Sequence, residues 1–305
     1  MVRVAIAGTG GLARYIAHFI RDETSHTAVI LSRSEQPTLA AAGHQVAVVD
    51  YQIPESLQFA LLGCDTVLST VTGPNQIELI KAAVVARVRR FAPAEYEGSP
   101  RLRDPSNPLD RQRSVALRLL AHYSQSLETT IFVCGIFYER FQPGGLAGAK
   151  TNLIPGLDNE GDYIMNCSAM FASFLTLPGN TGDVTICMTA LQDVGRFVTK
   201  ALDLPQWPQE MRICGQRITV RGLLQTVAQL KKQQFNPLQV HTLATLALQH
   251  QVARQAGDAS QQNRVAALIN TINGYYDFEG PCHNNLFPDW APMDFRTWFI
   301  LKWHL

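Results

Sequence analysis

The sequence predicts an α/β protein built on a doubly wound parallel sheet. Short apolar runs alternate with amphipathic stretches through the first third of the chain, as in strands connected by helices. Three such strand–helix units follow one another, and this order is typical of parallel strands with helices on both faces. With 305 residues, the chain is long enough for a large unit and a smaller C-terminal lobe that binds substrate.

The composition argues against several classes of partner. The formal net charge is +1 and 46% of residues are hydrophobic, so no charge excess indicates binding to nucleic acid or to an anionic membrane. No apolar run reaches the ~18 residues of a membrane span, and no secretory signal precedes the first strand, so we expect a cytoplasmic protein. The six cysteines are scattered without a C-x-x-C pair. We therefore expect neither disulfides nor a metal site.

The first stretch, residues 2–16, has the order strand, tight turn, helix. An apolar run is followed by Gly8, Gly10 and Gly11, and an amphipathic helix begins near Leu12. Glycines allow the backbone to turn and to approach a ligand closely, and a helix N-terminus offers unpaired N–H groups. A pyrophosphate is the natural occupant of such a turn.

The spacing Gly8-x-Gly10-x-x-Ala13 fits the fingerprint of dinucleotide-binding turns, in which a small third residue permits close helix–strand packing. Alone, this match is weak. The alternative is a glycine-rich turn without a ligand, and the surrounding strand–helix order favours the dinucleotide.

The second predicted strand, residues 27–31, ends in Ser32 and Arg33, with no acidic residue before Glu35. In this kind of fold an acidic residue at that place accepts hydrogen bonds from the 2′-hydroxyl of NAD, whereas an arginine pairs with the 2′-phosphate of NADP. The sequence therefore favours NADP(H). The alternative is a solvated surface arginine.

The third and fourth strands are predicted over residues 45–49 and 65–71, with a helix over 54–62 between them. Parallel strands bring their carboxyl ends to one edge of the sheet, where ligands bind. The residues at these ends are Gly8, Ser32, Asp50 and Thr70. Asp50 could contact the adenine, and it could equally cap the helix that follows.

A helix predicted over residues 75–88 leads into residues 90–96, with the sequence RFAPAEY. Several segments together carry a resemblance to a known family: Gly8–Ala13, Ser32-Arg33, Ser69-Thr70-Val71, Arg90-Phe91-Ala92-Pro93-Ala94-Glu95-Tyr96 and Asp193-Val194-Gly195-Arg196-Phe197. In these places the chain resembles the NmrA-like and isoflavone-reductase-like branch of the atypical short-chain dehydrogenase/reductases. The resemblance covers nearly the whole chain.

The resemblance implies a Rossmann-type domain that binds NADP(H). The residues expected to contact the cofactor are Gly8, Thr9, Gly10, Gly11, Leu12, Ala13, Ser32, Arg33, Asp50, Thr70, Val71, Thr72, Pro93 and Glu95. We expect this domain over residues 1–150, with residues 184–202 added from later in the chain. Residues 151–305 are expected to form mainly the substrate lobe.

The chain departs from the family where isoflavone reductases carry a lysine that acts as acid or base. A helix is predicted to start at Leu109, and the register set by Val115 puts Gln112 at the lysine position, next to Arg113. Gln112 cannot transfer a proton, and an arginine would stay protonated. The catalytic residue is therefore unassigned, with these candidates: Tyr96, Gln112, Arg113 and Tyr138.

A further strand over residues 129–134 should end beside the nicotinamide. Residues 143–161 are rich in Gly, Pro and Asn and are predicted to be a crossover loop, followed by an apolar segment. The candidate substrate-binding residues are Phe137, Tyr138, Arg140, Met170 and Phe174. For each of them, packing in the core is the alternative.

The remaining chain predicts a strand over residues 184–188 and four helices, over residues 190–202, 219–232, 243–256 and 261–272. Asp193 near the start of the first helix suggests a structural role. The aromatic tail could wall the substrate cleft or form a homodimer contact. For Trp298 and Trp303 we favour packing on the core of the small lobe.

Together these features predict an NADP(H)-dependent reductase of a small aromatic or polyketide-like carbonyl or enone compound in secondary metabolism. The substrate class comes from the resemblance and from the aromatic candidates. A protein that binds NADP(H) without redox turnover is the alternative, either as a redox-sensing regulator or as a catalyst of a rearrangement such as an isomerase or cyclase.

Overall fold

The computed structural model describes residues 1–151, 154–177, 179, 182–279 and 282–305. The chain divides into two compact units. The first comprises residues 1–96, 110–133 and 194–211, and the second comprises residues 97–109, 134–193 and 212–305. Residues 97–109, 134–150 and 184–193, which the sequence analysis assigned to the first domain, group with the second unit by their contacts.

The first unit contains a six-stranded parallel sheet in the order β3-β2-β1-β4-β5-β6. Its strands are β1 (Arg3–Ala7), β2 (Thr27–Ser32), β3 (Gln45–Val48), β4 (Thr66–Ser69), β5 (Arg90–Ala92) and β6 (Glu128–Thr129). This arrangement confirms the predicted doubly wound α/β fold. A separate two-stranded sheet pairs β7 (Ile131–Val133) with β12 (Glu210–Arg212).

Six helices accompany these strands: α1 (Gly11–Glu23), α2 (Pro37–Ala41), α3 (Pro54–Leu61), α4 (Pro74–Val85), α5 (Arg113–His122) and α7 (Leu191–Ala201), of which α7 enters the first unit at Val194. The prediction that α5 starts at Leu109 is wrong. Arg111 and Gln112 have φ angles of 47° and 62°, in the left-handed region, and interrupt the chain before the helix. Val115, predicted to set the register, is exposed, and Ala116 and Leu120 are buried instead.

The strand order reverses between β1 and β4, because β2 and β3 extend the sheet on one side and β5 and β6 on the other. Ala7 and Ser69 are partners at the carboxyl ends of these two neighbouring strands. Open α/β sheets bind ligands in the crevice at such a reversal, because the flanking connections leave the sheet in opposite directions. The fold therefore places the first glycine turn beside the residues that follow β4.

A buried arginine of β5, Arg90, connects the sheet of the first unit to residues 202–205, which belong to the same unit. The Arg90 side chain is fully buried, and its Nε donates to the Glu128 carboxylate at 2.6 Å. Its Nη atoms donate to three backbone carbonyl groups, those of Leu202, Leu204 and Pro205. The guanidinium also lies 4.9 Å from the centre of the Trp207 ring. Arg90 thus satisfies polar groups that would otherwise be buried without partners.

The substitution Arg90→Met should lower the free energy of unfolding by about 3–5 kcal/mol, because three carbonyl groups and a carboxylate lose their donor. Arg89→Met is the matched control, since that neighbouring side chain is half exposed and its ion pairs should contribute less than about 1 kcal/mol. Denaturant unfolding of the two variants measures the difference. Equally small losses would contradict the role given to Arg90.

The second unit contains two three-stranded sheets, in the orders β13-β11-β8 and β14-β10-β9. Their strands are β8 (Ile136–Phe137), β9 (Met165–Asn166), β10 (Phe171–Leu175), β11 (Thr185–Thr189), β13 (Gln216–Thr219) and β14 (Leu238–His241). Its helices, besides the first residues of α7, are α6 (Gly145–Gly148), α8 (Val220–Lys231), α9 (Leu243–Gln255), α10 (Ala259–Ile272) and α11 (Phe295–Trp303). Residues 152 and 153 of the predicted crossover loop lie outside the described residues.

The aromatic tail packs mainly on the core of the second unit, as the sequence suggested for its tryptophans. Trp298 is buried beside the rings of Tyr138 and Phe295. The Trp303 indole donates to the Phe141 carbonyl oxygen at 3.0 Å. No helix in the described part of the chain is long and apolar enough to cross a membrane.

A buried carboxylate lies at the start of α7. Both oxygens of Glu139 accept from the backbone N–H of Leu191, at 3.1 Å each. Complete burial raises the pKa of Glu139 to about 7, and the hydrogen bonds from backbone N–H groups only partly oppose this increase. The side chain therefore changes its charge in the neutral range.

The pKa of Glu139 in the folded protein lies above the usual value of 4.5. As the pH rises, the unfolded chain therefore releases this proton at a lower pH than the folded protein does. Stability should therefore fall by on the order of 3 kcal/mol between about pH 4.5 and pH 7. Glu139→Gln should remove this loss and be more stable than the parent at pH 8, whereas exposed Glu55→Gln should follow the parent. Unfolding midpoints at pH 5 and pH 8 test the assignment, and parallel pH profiles for Glu139→Gln and the parent would contradict it.

Candidate cofactor site

The turn after β1 depends on glycine at its first position. Gly8 has a φ of +113°, and a Cβ there would lie 2.3 Å from Oγ1 of Thr70. That hydroxyl donates to the Ala7 carbonyl oxygen at 2.8 Å, and the backbone N–H of Thr70 donates to the same oxygen at 2.9 Å. The ends of β1 and β4 are thus held together with no room for a side chain at Gly8.

The N-terminus of α1 presents its first N–H groups without a side-chain cap. Gly10 is the N-cap residue, and the first turn contains no acidic residue that would repel an anion. The sequence analysis did not identify Arg14, whose Nε donates to the carbonyl oxygen of Thr9 at 2.9 Å. The Arg14 guanidinium is thereby held beside the turn. The sequence feature that could have identified it is a basic residue directly after the fingerprint.

Arg33 extends from the carboxyl end of β2. It is exposed and forms no hydrogen bond or ion pair with another described residue. The neighbouring Ser32 is buried, and its hydroxyl accepts from the backbone N–H of Ser34 at 3.3 Å and from Gln36. Asp50 caps a tight turn by accepting from the Gln52 N–H at 2.8 Å, and α3 starts only at Pro54, so Asp50 is not its cap.

The residues after β4 and β5 lie close together in the first unit. Val71 and Thr72 are half-buried, whereas Pro93 and Glu95 are buried. The sequence analysis missed Gln76, a fully buried residue of α4 whose Oε1 accepts from the Ala94 N–H at 2.7 Å. Its Nε2 has no partner among the described residues. Buried polar atoms without a partner are rare in folded proteins, so Gln76 is a candidate for contact with a bound water or ligand.

The catalytic candidates of the first unit have different surroundings. Gln112 is exposed and its backbone is left-handed. Arg113 is buried, with Nη1 at 4.0 Å from Oε2 of the buried Glu95 and Nε donating to the Asp110 carbonyl oxygen. Tyr96 is buried and stacks on Phe132.

The candidates of the second unit are mostly packed as core residues. Tyr138 is fully buried, its hydroxyl donates to the Met293 carbonyl oxygen at 3.1 Å, and burial raises its pKa far above the usual value. Met170 is buried as well. Tyr138 and Met170 are thus packed as structural side chains are.

The other three substrate candidates are half-buried. Phe137 precedes a short helical turn, and Arg140 donates to the Leu157 carbonyl oxygen at 3.2 Å. Phe174 lies under the guanidinium of Arg221 and lines a cavity of about 350 Å³ within the second unit. The sequence pattern could not separate these side chains from the buried ones, because all are large and lie in apolar segments.

The first unit fits a dinucleotide phosphate cofactor by its own geometry. The glycine turn leaves space where a Cβ would collide, and an uncapped helix N-terminus follows it. Both features suit a pyrophosphate, which the backbone N–H groups of Gly10, Gly11 and Leu12 would hold. Arg33 is available for a 2′-phosphate.

Comparison with known proteins supports this interpretation. Residues 7–148 match the NAD(P)H-binding domain family. The chain is 27% identical over 325 residues to Oxidoreductase BOA1 of Botryotinia fuckeliana (strain B05.10), with 98% of each chain covered. Its structure is similar to that of AtPrR2 with NADP+ and (+)pinoresinol, with a TM-score of 0.75, 18% identity and coverage of 99% of this chain and 98% of the other. It is equally similar to the NADPH complex of leucoanthocyanidin reductase from Vitis vinifera, with a TM-score of 0.75, 20% identity and coverage of 98% and 99%.

The likeness to these solved structures shows that the chain shares their fold. The match to the NAD(P)H-binding family agrees with the expected cofactor class, an NAD(P)H-type dinucleotide.

Gly8→Ala should weaken NADPH binding by about tenfold or more, because the new Cβ must displace the Thr70 hydroxyl from between β1 and β4. Gly63→Ala is the matched control: Gly63 also has a positive φ, +73°, but nothing lies within 4 Å of its Cβ position. Both variants carry backbone strain of about 1–2 kcal/mol, and only the first should lose affinity. Fluorescence titration with NADPH measures it, and unchanged binding by Gly8→Ala would refute the role of the turn.

Proposed function

We propose that this protein is an NADP(H)-dependent reductase that acts on a small aromatic or polyketide-like carbonyl or enone compound in secondary metabolism. The observation that supports the cofactor choice most strongly is the exposed, unpaired Arg33 at the tip of β2, where NADP carries its 2′-phosphate. The substrate class rests on the sequence resemblance to isoflavone reductases, and it is supported by structural neighbours that were solved with NADP+ and (+)pinoresinol or with NADPH.

In this proposal the cofactor supplies the hydride, and the protein supplies binding and orientation. The N–H groups at the start of α1 bind the pyrophosphate, and Arg33 fixes the 2′-phosphate by a charge-assisted contact. A carbonyl oxygen that gains negative charge needs a positioned hydrogen-bond donor rather than a lysine. Tyr96, Gln112 and Arg113 are the first-unit candidates for that donor.

A second function has one specific observation in its favour. The sequence register put Gln112 at the position of the family's lysine, but in the structure Gln112 precedes α5 with a left-handed backbone instead of lying within the helix. A chain without the usual proton donor could bind NADP(H) as a sensor, or as a fixed part of a site for an isomerisation or cyclisation.

The experiment that separates these functions follows absorbance at 340 nm with NADPH and a panel of quinones, enones and aromatic ketones. Oxidation that requires both the protein and one of these compounds would support the reductase. Tight NADPH binding without oxidation of any compound would favour the sensor or the non-redox catalyst. Absence of NADPH binding would contradict both functions.

Arg33→Ala should weaken NADPH binding by about 1.5–3 kcal/mol, the contribution of a hydrogen bond to a charged group, and leave NADH binding nearly unchanged. Lys81→Ala removes an exposed cation elsewhere in the first unit and should change neither. Parallel titrations of both variants with the two nucleotides measure the effect. Equal losses for NADPH and NADH would show that Arg33 does not bind the 2′-phosphate.

Gln112→Ala should fold normally, because the side chain is exposed, and should retain turnover if Gln112 only replaces the lysine without taking its role. Steady-state rates at saturating NADPH test this prediction. A fall in kcat of about tenfold or more, with NADPH affinity intact, would instead assign Gln112 to the stabilisation of the substrate oxygen.

A further inference from the structure

Three cysteines that are far apart in the sequence meet in the second unit. Cys187 lies in β11, Cys214 just before β13, and Cys282 in the C-terminal segment. All three line one cavity of about 270 Å³, together with Arg217 and Phe278. All six cysteines of the chain are free thiols in the structure.

Hydrogen bonds of Asn284 hold the C-terminal segment against the residues just before β13, beside these thiols. The Asn284 side chain binds both backbone groups of Cys214, donating to its carbonyl oxygen at 2.8 Å and accepting from its N–H at 3.3 Å. The same Asn284 accepts from the Cys282 thiol at 3.0 Å. Arg217 pairs with Asp277 at 2.8 Å. The cavity is therefore built by specific contacts rather than by a chance gap in packing.

Within the cavity, Cys187 and Cys214 form a pair. The neighbouring Cys214 thiol and burial raise the pKa of Cys187 well above its usual value. In the structure the Cys187 thiol donates weakly to the Phe278 carbonyl oxygen at 3.5 Å and to the Asp277 carboxylate at 3.8 Å. The Cys187 thiol therefore keeps its proton at neutral pH. It is also the buried member, whereas Cys214 is partly exposed. Solvent access and an adjacent thiol that can resolve a sulfenic acid are two of the features found at reversible oxidation sites.

We propose that the cavity lined by Cys187, Cys214 and Cys282 is an oxidation site at which a hydroperoxide converts Cys187 and Cys214 into a disulfide. The Cys214 sulfur attacks a peroxide oxygen, the O–O bond breaks, and the released alkoxide or hydroxide takes up the thiol proton. The resulting sulfenic acid is attacked by the Cys187 sulfur, which forms the S–S bond and releases water. Two thiols are oxidised and one hydroperoxide is reduced to an alcohol or water, plus one further water.

Two alternatives fit the surroundings less well. No group of three or more His, Cys, Asp or Glu side chains in the described ranges has the arrangement needed to hold a metal ion. Cys282 is a poorer partner for Cys214, because its thiol donates to Asn284 at 3.0 Å and to the Arg212 carbonyl oxygen at 3.4 Å, whereas the contacts of the Cys187 thiol are longer. The other three cysteines are buried and do not line this cavity: Cys64, Cys134 and Cys167.

The proposed disulfide would close the chain between β11 and β13, a stretch that includes α7. Closing a loop restricts the unfolded chain and stabilises the folded protein. Oxidation should therefore raise the Tm, and a thiol reductant should reverse the increase. This readout is independent of the cofactor and of any substrate.

The test treats the reduced full-length protein with hydrogen peroxide, alkylates the remaining thiols and maps disulfides by mass spectrometry. The expected product joins Cys187 to Cys214, while buried Cys64 and Cys167 are oxidised about tenfold more slowly or less. Cys214→Ser should abolish the disulfide and the rise in Tm. Cys282→Ser, the matched control, should retain both.

If Cys214→Ser fails to fold, the disulfide map of the unmodified protein still decides the question. A disulfide between any other pair, equal oxidation of all six cysteines, or no disulfide at all would overturn the proposal. The Cys214→Ser variant lacks one of the two sulfurs and cannot form this disulfide. If the variant folds and oxidation still raises its Tm, the proposal is overturned.

Discussion

The cofactor edge of the first unit depends on the close approach of β1 and β4. Two donors of Thr70 share the Ala7 carbonyl oxygen, and this contact leaves no volume for a side chain at Gly8. The strand order reverses at the same two strands, so the tightest point of the sheet is also the point where the connections diverge. The glycine turn, the start of α1 and the tip of β2 all take their positions from this junction.

A second constraint explains why residues 194–211 pack with the first unit. Arg90 needs several acceptors because it is buried with its charge, and the chain supplies them with the carbonyl groups at residues 202–205 and with Glu128. Close packing of α7 on α1 adds to this, since a Cβ at Gly195 would lie 2.7 Å from Cβ of Tyr15. The segment Asp193-Val194-Gly195-Arg196 is accordingly structural: Asp193 accepts from the Met293 N–H, and Arg196 pairs with Glu23.

Local chemistry made much of the first unit predictable from the sequence. Buried parallel strands are continuous apolar runs, and proline or glycine marks the helix starts, so the first four strands and α1, α3 and α4 lie close to their expected bounds. The start of α5 was not predictable, because two non-glycine residues in the left-handed region leave no sequence signal. Short strands such as β9 and β14 were missed because tertiary pairing, rather than periodicity, defines them.

Some residues of the candidate site could likewise be predicted from the sequence, and others could not. The turn and Arg33 follow from a fingerprint of closely spaced residues, whereas Gln76 and the three-cysteine cavity depend on contacts between distant segments. Large apolar candidates such as Tyr138 and Phe174 look alike in the sequence, and only their burial and hydrogen bonds separate them.

The most direct test of the cofactor assignment is a titration of the unmodified protein with NADPH and with NADH, followed by nicotinamide fluorescence. With the glycine turn free for the pyrophosphate and Arg33 for the 2′-phosphate, NADPH should bind about tenfold or more tightly than NADH, corresponding to ~1.4 kcal/mol or more. Equal affinities would contradict the 2′-phosphate assignment. Absence of binding by either nucleotide would contradict the cofactor site itself.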